Sequence, residues 1–247
     1  MKVFSMFFPI VMAWSLLGFG PRPQPKPASP ADLASVLKRM DTAAADFRAL
    51  QANFEWDRYE KVIGEVDDVQ TGTIYYRRSG RDKDIEMMAD VKMDGDSLTT
   101  LKPEPKFVLF RGGKIQMYLP RVDQLTVYDL GKNATDFESY LVLGFGGSGQ
   151  DLVKAFDVTY VKPEEIDGVA TAELHLVPKS ERVRNNFKEI FLWIDLDRGI
   201  SVQQQFIEPQ GDYRLTKYSS IQAKDKLSDS IFKLKTTSKT QIVTPHG

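Results

Sequence analysis

Gly112-Gly-Lys-Ile-Gln-Met-Tyr-Leu-Pro-Arg-Val-Asp-Gln124 is the stretch of this sequence that decides the fold. A glycine pair that favours a tight turn is followed by a short strand-like segment and by a second turn. Further strand and turn patterns occur in Gly72–Arg78, Leu176–Lys179 and Asp195–Ile200. Together these segments predict the strands and turns of a curved antiparallel sheet.

Apolar and polar residues alternate over most of the chain from Ala49 onward. Because short links between consecutive strands make neighbours antiparallel, we expect about ten or eleven strands in one sheet that curls to bury a face. The short candidate strands are Thr99–Leu101, Phe107–Arg111 and Ile231–Lys235. The predicted fold class is α+β, mostly β: an incomplete, half-open antiparallel β-barrel.

An amphipathic helix precedes the sheet. Ser29 is a suitable N-cap and Pro30 fits the first helical position. Apolar residues then recur at helical spacing as far as Phe47, namely at Leu33, Val36, Leu37, Met40 and Ala44. This pattern predicts one N-terminal helix that packs against the sheet.

The strand pattern is interrupted at Lys132–Ala155. Asp136–Leu143 and Asp151–Phe156 have helix-like apolar patterns, and the glycine-rich stretch Gly144–Gly149 between them favours a flexible joint. We therefore expect short central helices that form a lid over the concave face.

Residues 1–20 predict an export signal, because Lys2 is followed by the uncharged, apolar run Val3–Phe19. The run is also at the short limit for a spanning helix, so an uncleaved anchor is the alternative. Pro21–Pro27 favours an extended spacer. We interpret residues 21–28 as a proline-rich linker and residues 29–247 as a single domain.

Composition excludes several classes of function. The sequence has no cysteine, which excludes disulfides, a thiol nucleophile and an acylated N-terminal cysteine. A formal net charge of -1 gives no electrostatic footprint for nucleic acid. His175 and His246 are the only histidines, and Asp195-Leu-Asp197 lacks the further ligands of a calcium loop. We expect no enzyme, no metal site and no cofactor.

Arg78 is the polar residue that stands out. Alternation places Ile74, Tyr76 and Arg78 on one face of a strand. If that face is concave, the guanidinium of Arg78 reaches the lid and can hold it shut through hydrogen bonds to carbonyl or carboxylate oxygens. A solvated arginine at the end of a strand is the alternative.

These segments resemble the bacterial outer-membrane lipoprotein carrier family, the LolA-like periplasmic proteins. The sequence departs from the family at Ser79, where the family usually has proline, and at Asp90–Pro105, which we interpret as an insertion. The segments that carry the resemblance, in the family's order, are Gly72–Arg78, Gly112–Gln124, Leu176–Lys179 and Phe191–Gln205.

The resemblance implies a periplasmic carrier with an apolar cavity beneath its lid. The expected partners are the acyl chains of lipoproteins or another lipid, an inner-membrane ABC exporter and an outer-membrane acceptor. We expect a monomer with transient membrane proximity. The implied cavity residues are Ile74, Tyr76, Ile115, Met117, Leu119, Leu192 and Ile194. The implied lid residues are Phe137, Tyr140, Leu141, Leu143, Leu152 and Val153, with Arg78 as the lid latch.

Two other functions remain open. A periplasmic sensor or interaction domain could bind a lipid or a protein on the same half-barrel. An enzyme with carboxylate chemistry would need a convergent pair of carboxylates on the concave face, where the strand pattern offers mostly apolar residues.

Overall fold

The computed structural model describes residues 32–79, 84–131, 134, 140, 143 and 145–245. The predicted export signal, the proline-rich linker, Phe137, Leu141 and His246 lie outside these residues. Within them, no helix is long and apolar enough to cross a membrane.

Twelve strands form one open sheet in the order β12-β6-β5-β4-β3-β2-β1-β11-β10-β9-β8-β7. Their bounds are β1 Ala49–Glu60, β2 Glu65–Ser79, β3 Asp84–Gly95, β4 Lys102–Arg111, β5 Lys114–Leu119, β6 Gln124–Asp129, β7 Phe156–Ile166, β8 Val169–Pro178, β9 Glu189–Asp195, β10 Ser201–Ile207, β11 Tyr213–Lys224 and β12 Gln241–Val243. The α-helices whose bounds lie within the described residues are α1 Leu33–Asp46, α2 Gly149–Ala155 and α3 Glu181–Arg184. The predicted fold class is confirmed.

Two of the three short strand predictions are wrong, and the third, Phe107–Arg111, lies within β4. Thr99–Leu101 lies in the loop between β3 and β4, and Asp90–Pro105 lengthens this hairpin at both strand ends. Ile231–Lys235 has no strand partner. The strand that the sequence analysis missed is β12, which pairs with β6 in parallel, whereas the other described pairings are antiparallel. Three residues are too few for a periodic signal.

Helix α1 begins later than predicted. Its N-cap is Asp32, whose carboxylate accepts a hydrogen bond from the backbone nitrogen of Ser35 at 2.7 Å, so the predicted N-cap at Ser29 is wrong. The predicted apolar stripe is confirmed, because Val36 and Met40 are fully buried against the sheet.

Helices α1 and α2 cover one half of the concave face. Leu174 and Leu176 of β8 pack with Ile190 of β9 beneath these helices, and all three are fully buried. The connection between β9 and β10 is a tight hairpin turn, as the sequence predicts. The side chain of Asp195 accepts hydrogen bonds there from the backbone nitrogens of Asp197 and Arg198.

The convex face is crossed by the C-terminal segment, residues 225–240, which leads from β11 to β12 and which we call the strap. Phe232 of the strap is fully buried, and the guanidinium of Arg77 lies 4.1 Å from its ring centroid. Arg77 also forms ion pairs with Glu86 and with Asp229 of the strap. Burial would raise the pKa of Glu86, but hydrogen bonds from Arg111 and Arg77 outweigh it and lower this pKa. The strap is therefore fixed by one aromatic ring and a charge network.

Candidate functional site

The concave face carries a pocket of about 550 Å³ between the two halves of the sheet. Its floor comes from central strands: Trp56 of β1 lies opposite Thr216 of β11, which lies opposite Gln204 of β10. Because residues paired in register point to the same face, these side chains form one row across the floor. Strand register therefore brings these three floor residues together.

Aromatic rings form the wall and roof of the pocket. Phe187 and Phe206 pack edge to face with ring centroids 5.1 Å apart, and Tyr140 from the lid packs edge to face against Phe187 at 5.4 Å. Such edge-to-face contacts fix ring positions while leaving apolar surface toward the pocket. The wall therefore suits an apolar ligand, and it places little restriction on the shape of that ligand.

The polar atoms inside the pocket are neutral. Burial raises the pKa of Tyr76 and of Tyr218 above the ordinary tyrosine value, and the neighbouring Tyr76 adds to the shift of Tyr218. The amide oxygen of Gln204 accepts a hydrogen bond from the Tyr218 hydroxyl at 3.4 Å. The floor therefore holds no charge at any physiological pH.

Charges are found at the mouth of the pocket. Arg214 forms an ion pair with Glu208 at 2.8 Å, and its guanidinium lies 5.7 Å from the ring centroid of Phe187. Both charged residues line the pocket at the end where β10 turns into β11. The pocket is thus apolar inside and polar at its entrance, as is common for small-molecule sites.

The lid consists, among the described residues, of Tyr140, Leu143 and the stretch from Phe145 to the end of α2. Phe145 is only 1% exposed and its ring packs between those of Tyr76 and Tyr218, with centroids at 5.4 and 4.7 Å. The glycine content of this stretch predicts a flexible joint. In the structure the described part of it is a packed plug against the pocket floor.

Two side chains of the sheet hold the lid by its backbone. Nη2 of Arg78 donates a hydrogen bond to the carbonyl oxygen of Gly146 at 2.6 Å, and the amide of Gln204 donates to the carbonyl oxygen of Leu143. Gly146 has φ +78°, and a Cβ there would lie 2.8 Å from the ring of Phe47. The Nε of Arg78 is buried without a hydrogen-bond partner among the described residues.

The structure distributes the predicted cavity residues over four places. Tyr76 lines the pocket. Ile74 and Ile115 lie beside it, in the apolar cluster around Phe145. Leu192 and Ile194 are fully buried beneath the helices, in the other cluster. Met117 and Leu119 are half-buried farther along β5.

The predicted lid residues also differ in position. Tyr140 lines the pocket, and Leu143 and Leu152 are buried in the cluster beneath α1. Val153 is 37% exposed on α2. Arg78 lies on the same face as Ile74 and Tyr76, as alternation predicts, and contacts the lid through Gly146.

Sequence reasoning missed Gln204, Phe145 and most of the pocket wall. Gln204 had a detectable signal, because a glutamine that shares a strand face with Phe206 is a polar side chain on an apolar face. Phe145 had none, since an aromatic residue between glycines has no periodicity to assign it to a face.

A second cleft, of about 690 Å³, lies at the opposite end of the sheet, between α1 and the β9–β10 turn. It is lined by side chains of both charges, including Arg39, Asp46 and Asp197, and so has a more highly charged lining than the concave pocket. Among the described residues no group of three or more histidine, cysteine, aspartate or glutamate side chains could hold a metal ion. His175 stacks on Phe191, away from the pocket lining.

The family model described as "Outer membrane lipoprotein carrier protein LolA" matches residues 97–235. No curated protein matches the chain. An uncharacterized conserved protein from Thermus thermophilus has a similar fold, with a TM-score of 0.51 at 10% identity over 86% of this chain and 98% of that one.

Two further solved structures align less well. The MucA/MucB complex of Pseudomonas aeruginosa gives a TM-score of 0.47 at 17% identity over 87% of this chain and 64% of that one. A LolA superfamily protein from Nitrosomonas europaea gives 0.39 at 12% identity, over 83% and 98% of the two chains.

Proposed function

This chain belongs to the LolA family of outer membrane lipoprotein carrier proteins, and from that premise we propose that it binds the acyl chains of lipoproteins in the concave pocket and carries them through the periplasm. Loading would occur at an inner-membrane ABC exporter and release at an outer-membrane acceptor. The observation that carries the proposal is the pocket itself, with aromatic walls, an uncharged floor and a plug.

Binding in such a pocket is driven by removal of methylene groups from water. Each buried methylene contributes about 0.8 kcal/mol, so a long acyl chain binds tightly once inside. Release then requires a change in the lid, and a ligand shifts the lid equilibrium only through contacts that differ between the open and closed states. The side chains of Arg78 and Gln204 each donate a hydrogen bond to a carbonyl oxygen of the lid, and these bonds supply such contacts in the closed state.

Opening of the lid would enlarge the pocket in a defined direction. Withdrawal of Phe145 exposes Ile74 and Ile115 on the β2–β5 side, because these residues share its cluster. Displacement of α2 exposes Leu192 and Ile194 on the other side. We propose these residues, with Met117 and Leu119 at the far end of β5, as the floor of the open cavity.

The remaining parts of the proposal concern the chain as a whole. We propose that residues 1–20 direct export and that residues 21–28 link them to the carrier domain, residues 29–247. The protein acts as a monomer without a cofactor, and it binds lipid without chemical conversion. These statements extend the predictions made from the sequence.

Thr216→Glu tests the proposed lipid pocket. Thr216 lies in the middle of the floor, so the new carboxylate must be desolvated by an acyl chain, and lipid binding is expected to fall at least about tenfold. The protein is purified from a bacterial periplasm, bound lipid is identified by mass spectrometry, and uptake of a fluorescent fatty acid is titrated.

The matched control is Gln205→Glu, which adds the same charge to the adjacent strand on the opposite face, where Gln205 pairs with Leu215 and Phe191. It should bind lipid like the wild type. A wild-type protein that carries no lipid and takes up none would contradict the carrier proposal and favour the sensor alternative.

Arg78→Leu tests the latch. The variant loses a charge-assisted hydrogen bond to the lid, worth about 1.5–3 kcal/mol, and is expected to shift the lid toward its open state without unfolding the sheet. Lipid transfer to acceptor vesicles should therefore change in rate, measured by fluorescence. Arg48→Leu is the control, because Arg48 donates to carbonyls at the end of α1 instead. Equal transfer rates in Arg78→Leu and wild type would remove Arg78 from the mechanism.

A further inference from the structure

The tip of the β1–β2 hairpin, residues 61–64, exposes two adjacent apolar side chains. Val62 is 95% exposed and Ile63 is 56% exposed. Single exposed apolar residues are ordinary on protein surfaces, but this β-branched pair at the end of a hairpin is left uncovered by the part of the chain that the structure describes. This pair has no role in the pocket or in the lid.

The hairpin projects beyond the strands on one side. Val69 is the residue of β2 that pairs with the last residue of β3, Gly95, so the four residues Glu65–Asp68 continue past the end of β3. At about 3.4 Å per residue these four residues extend about 14 Å past the last residue of β3. The apolar pair therefore stands at the free end of the hairpin.

The tip lies beside the mouth of the concave pocket. The backbone nitrogen of Lys61 donates a hydrogen bond to Oδ1 of Asp212, 2.9 Å away, in the turn between β10 and β11. Residues Glu208, Pro209 and Gln210 of the same turn line the pocket. A surface that meets the hairpin tip is thus brought to the pocket entrance.

The tip is held firmly in this position. The rings of Tyr59 and Tyr213 stack beneath it, with centroids 4.6 Å apart and planes at 14°. The turn is closed by a hydrogen bond from the nitrogen of Gly64 to the carbonyl oxygen of Glu60 at 2.8 Å. The exposed pair is therefore a fixed projection of the sheet.

We propose that Val62 and Ile63 insert into the headgroup–acyl boundary of a lipid bilayer and so place the pocket entrance at the membrane surface. Two aliphatic side chains are enough for a shallow insertion into a bilayer. They are too small for a stable protein interface, which buries about 1,200–2,000 Å². Insertion of the hairpin tip into a membrane does not require that the pocket hold an acyl chain.

The charges of the hairpin specify the kind of bilayer. Around the tip the hairpin carries two basic residues, Arg58 and Lys61, and more acidic ones: Glu60, Glu65, Asp67 and Asp68. An anionic surface would repel this excess of acidic groups. The hairpin tip therefore binds a zwitterionic lipid surface, and apolar insertion rather than charge drives the binding.

The absence of cysteine from the sequence makes a site-specific test direct. Val62→Cys in the full chain is labelled with an environment-sensitive dye and mixed with phosphatidylcholine vesicles. Val161→Cys is the matched control, since Val161 is 45% exposed in β7, away from the tip. We expect a blue shift and a gain in emission at residue 62 only, both reduced when phosphatidylglycerol is added to the vesicles. No response at residue 62, or equal responses at both residues, would overturn the proposal.

Two further measurements separate membrane contact from lipid uptake and from self-association. Without a dye, the double variant Val62→Asp/Ile63→Asp should co-float with vesicles about tenfold less than the wild type, because two aliphatic insertions are lost. The dye response should persist in Thr216→Glu. Its loss there would show that the dye reports lipid entering the pocket, and a response to concentrated unlabelled protein alone would indicate contact with a second copy; either result would overturn membrane contact.

Discussion

Replacement of Phe145 by alanine is expected to lower the free energy of unfolding by about 3–5 kcal/mol. The ring is almost fully buried and packs edge to face on Tyr218, so its removal leaves a cavity lined by the pocket floor. The same cavity would join the pocket, because Tyr76 and Tyr218 line both. Urea unfolding followed by circular dichroism measures the loss.

A ligand distinguishes the role of Phe145 as a plug from a purely structural one. If the ring blocks part of the acyl site, a saturating fatty acid should restore more stability to Phe145→Ala than it adds to the wild type, because the ligand fills the new space in the folded state only. Tyr128→Ala, a ring that is 41% exposed on β6, is the control and should change stability by less than about 0.5 kcal/mol. A loss below about 1 kcal/mol in Phe145→Ala would contradict a packed lid.

Phe232→Ala should destabilise the protein by a similar amount, about 3–5 kcal/mol. Phe232 is fully buried against the convex face with Met88, Leu109 and Leu227, and it lies under the guanidinium of Arg77. Its loss is expected to release the strap and, with it, the parallel pairing of β12 at the edge of the sheet. Hydrogen exchange should report faster exchange in β12 and the strap than in β1.

The control for the strap is Ile242→Ala. Ile242 belongs to β12 but is 67% exposed, so its truncation should cost no more than about 0.5 kcal/mol. Lipid uptake through the concave pocket should survive in folded Phe232→Ala, since the strap lies on the other face. Unchanged stability in Phe232→Ala would show that the charge network of Arg77, Glu86 and Asp229 holds the strap without the ring.

The local structure of this chain could be predicted well because it depends on short-range periodicity. The 3.6-residue spacing of Val36 and Met40 identifies the buried face of α1, and two-residue alternation assigns Ile74, Tyr76 and Arg78 to one strand face. The helix that spans Leu152 is confirmed on the same grounds. Errors occur where the segment has only three residues, as in β12 and Thr99–Leu101, because the two-residue alternation then hardly repeats.

The candidate site could be predicted only in part. Alternation shows which side chains of a strand share a face, but Leu192 and Tyr76 both point to the concave face and have different surroundings. Leu192 is covered by helices and Tyr76 borders a pocket, and this difference depends on where α1 and α2 lie on the sheet. No pattern within β2 or β9 encodes that placement.

By itself the sequence determined the class of fold, the longer strands and the residues that share a face within a regular strand, since these depend on contacts between near neighbours. The tertiary structure alone decided that Phe145 plugs the pocket, that Gln204 reaches the lid and that Val62 stands uncovered beside the entrance. Each of these features depends on how close two segments that are far apart in the sequence lie in space. The curvature and packing of the whole sheet set these spatial distances.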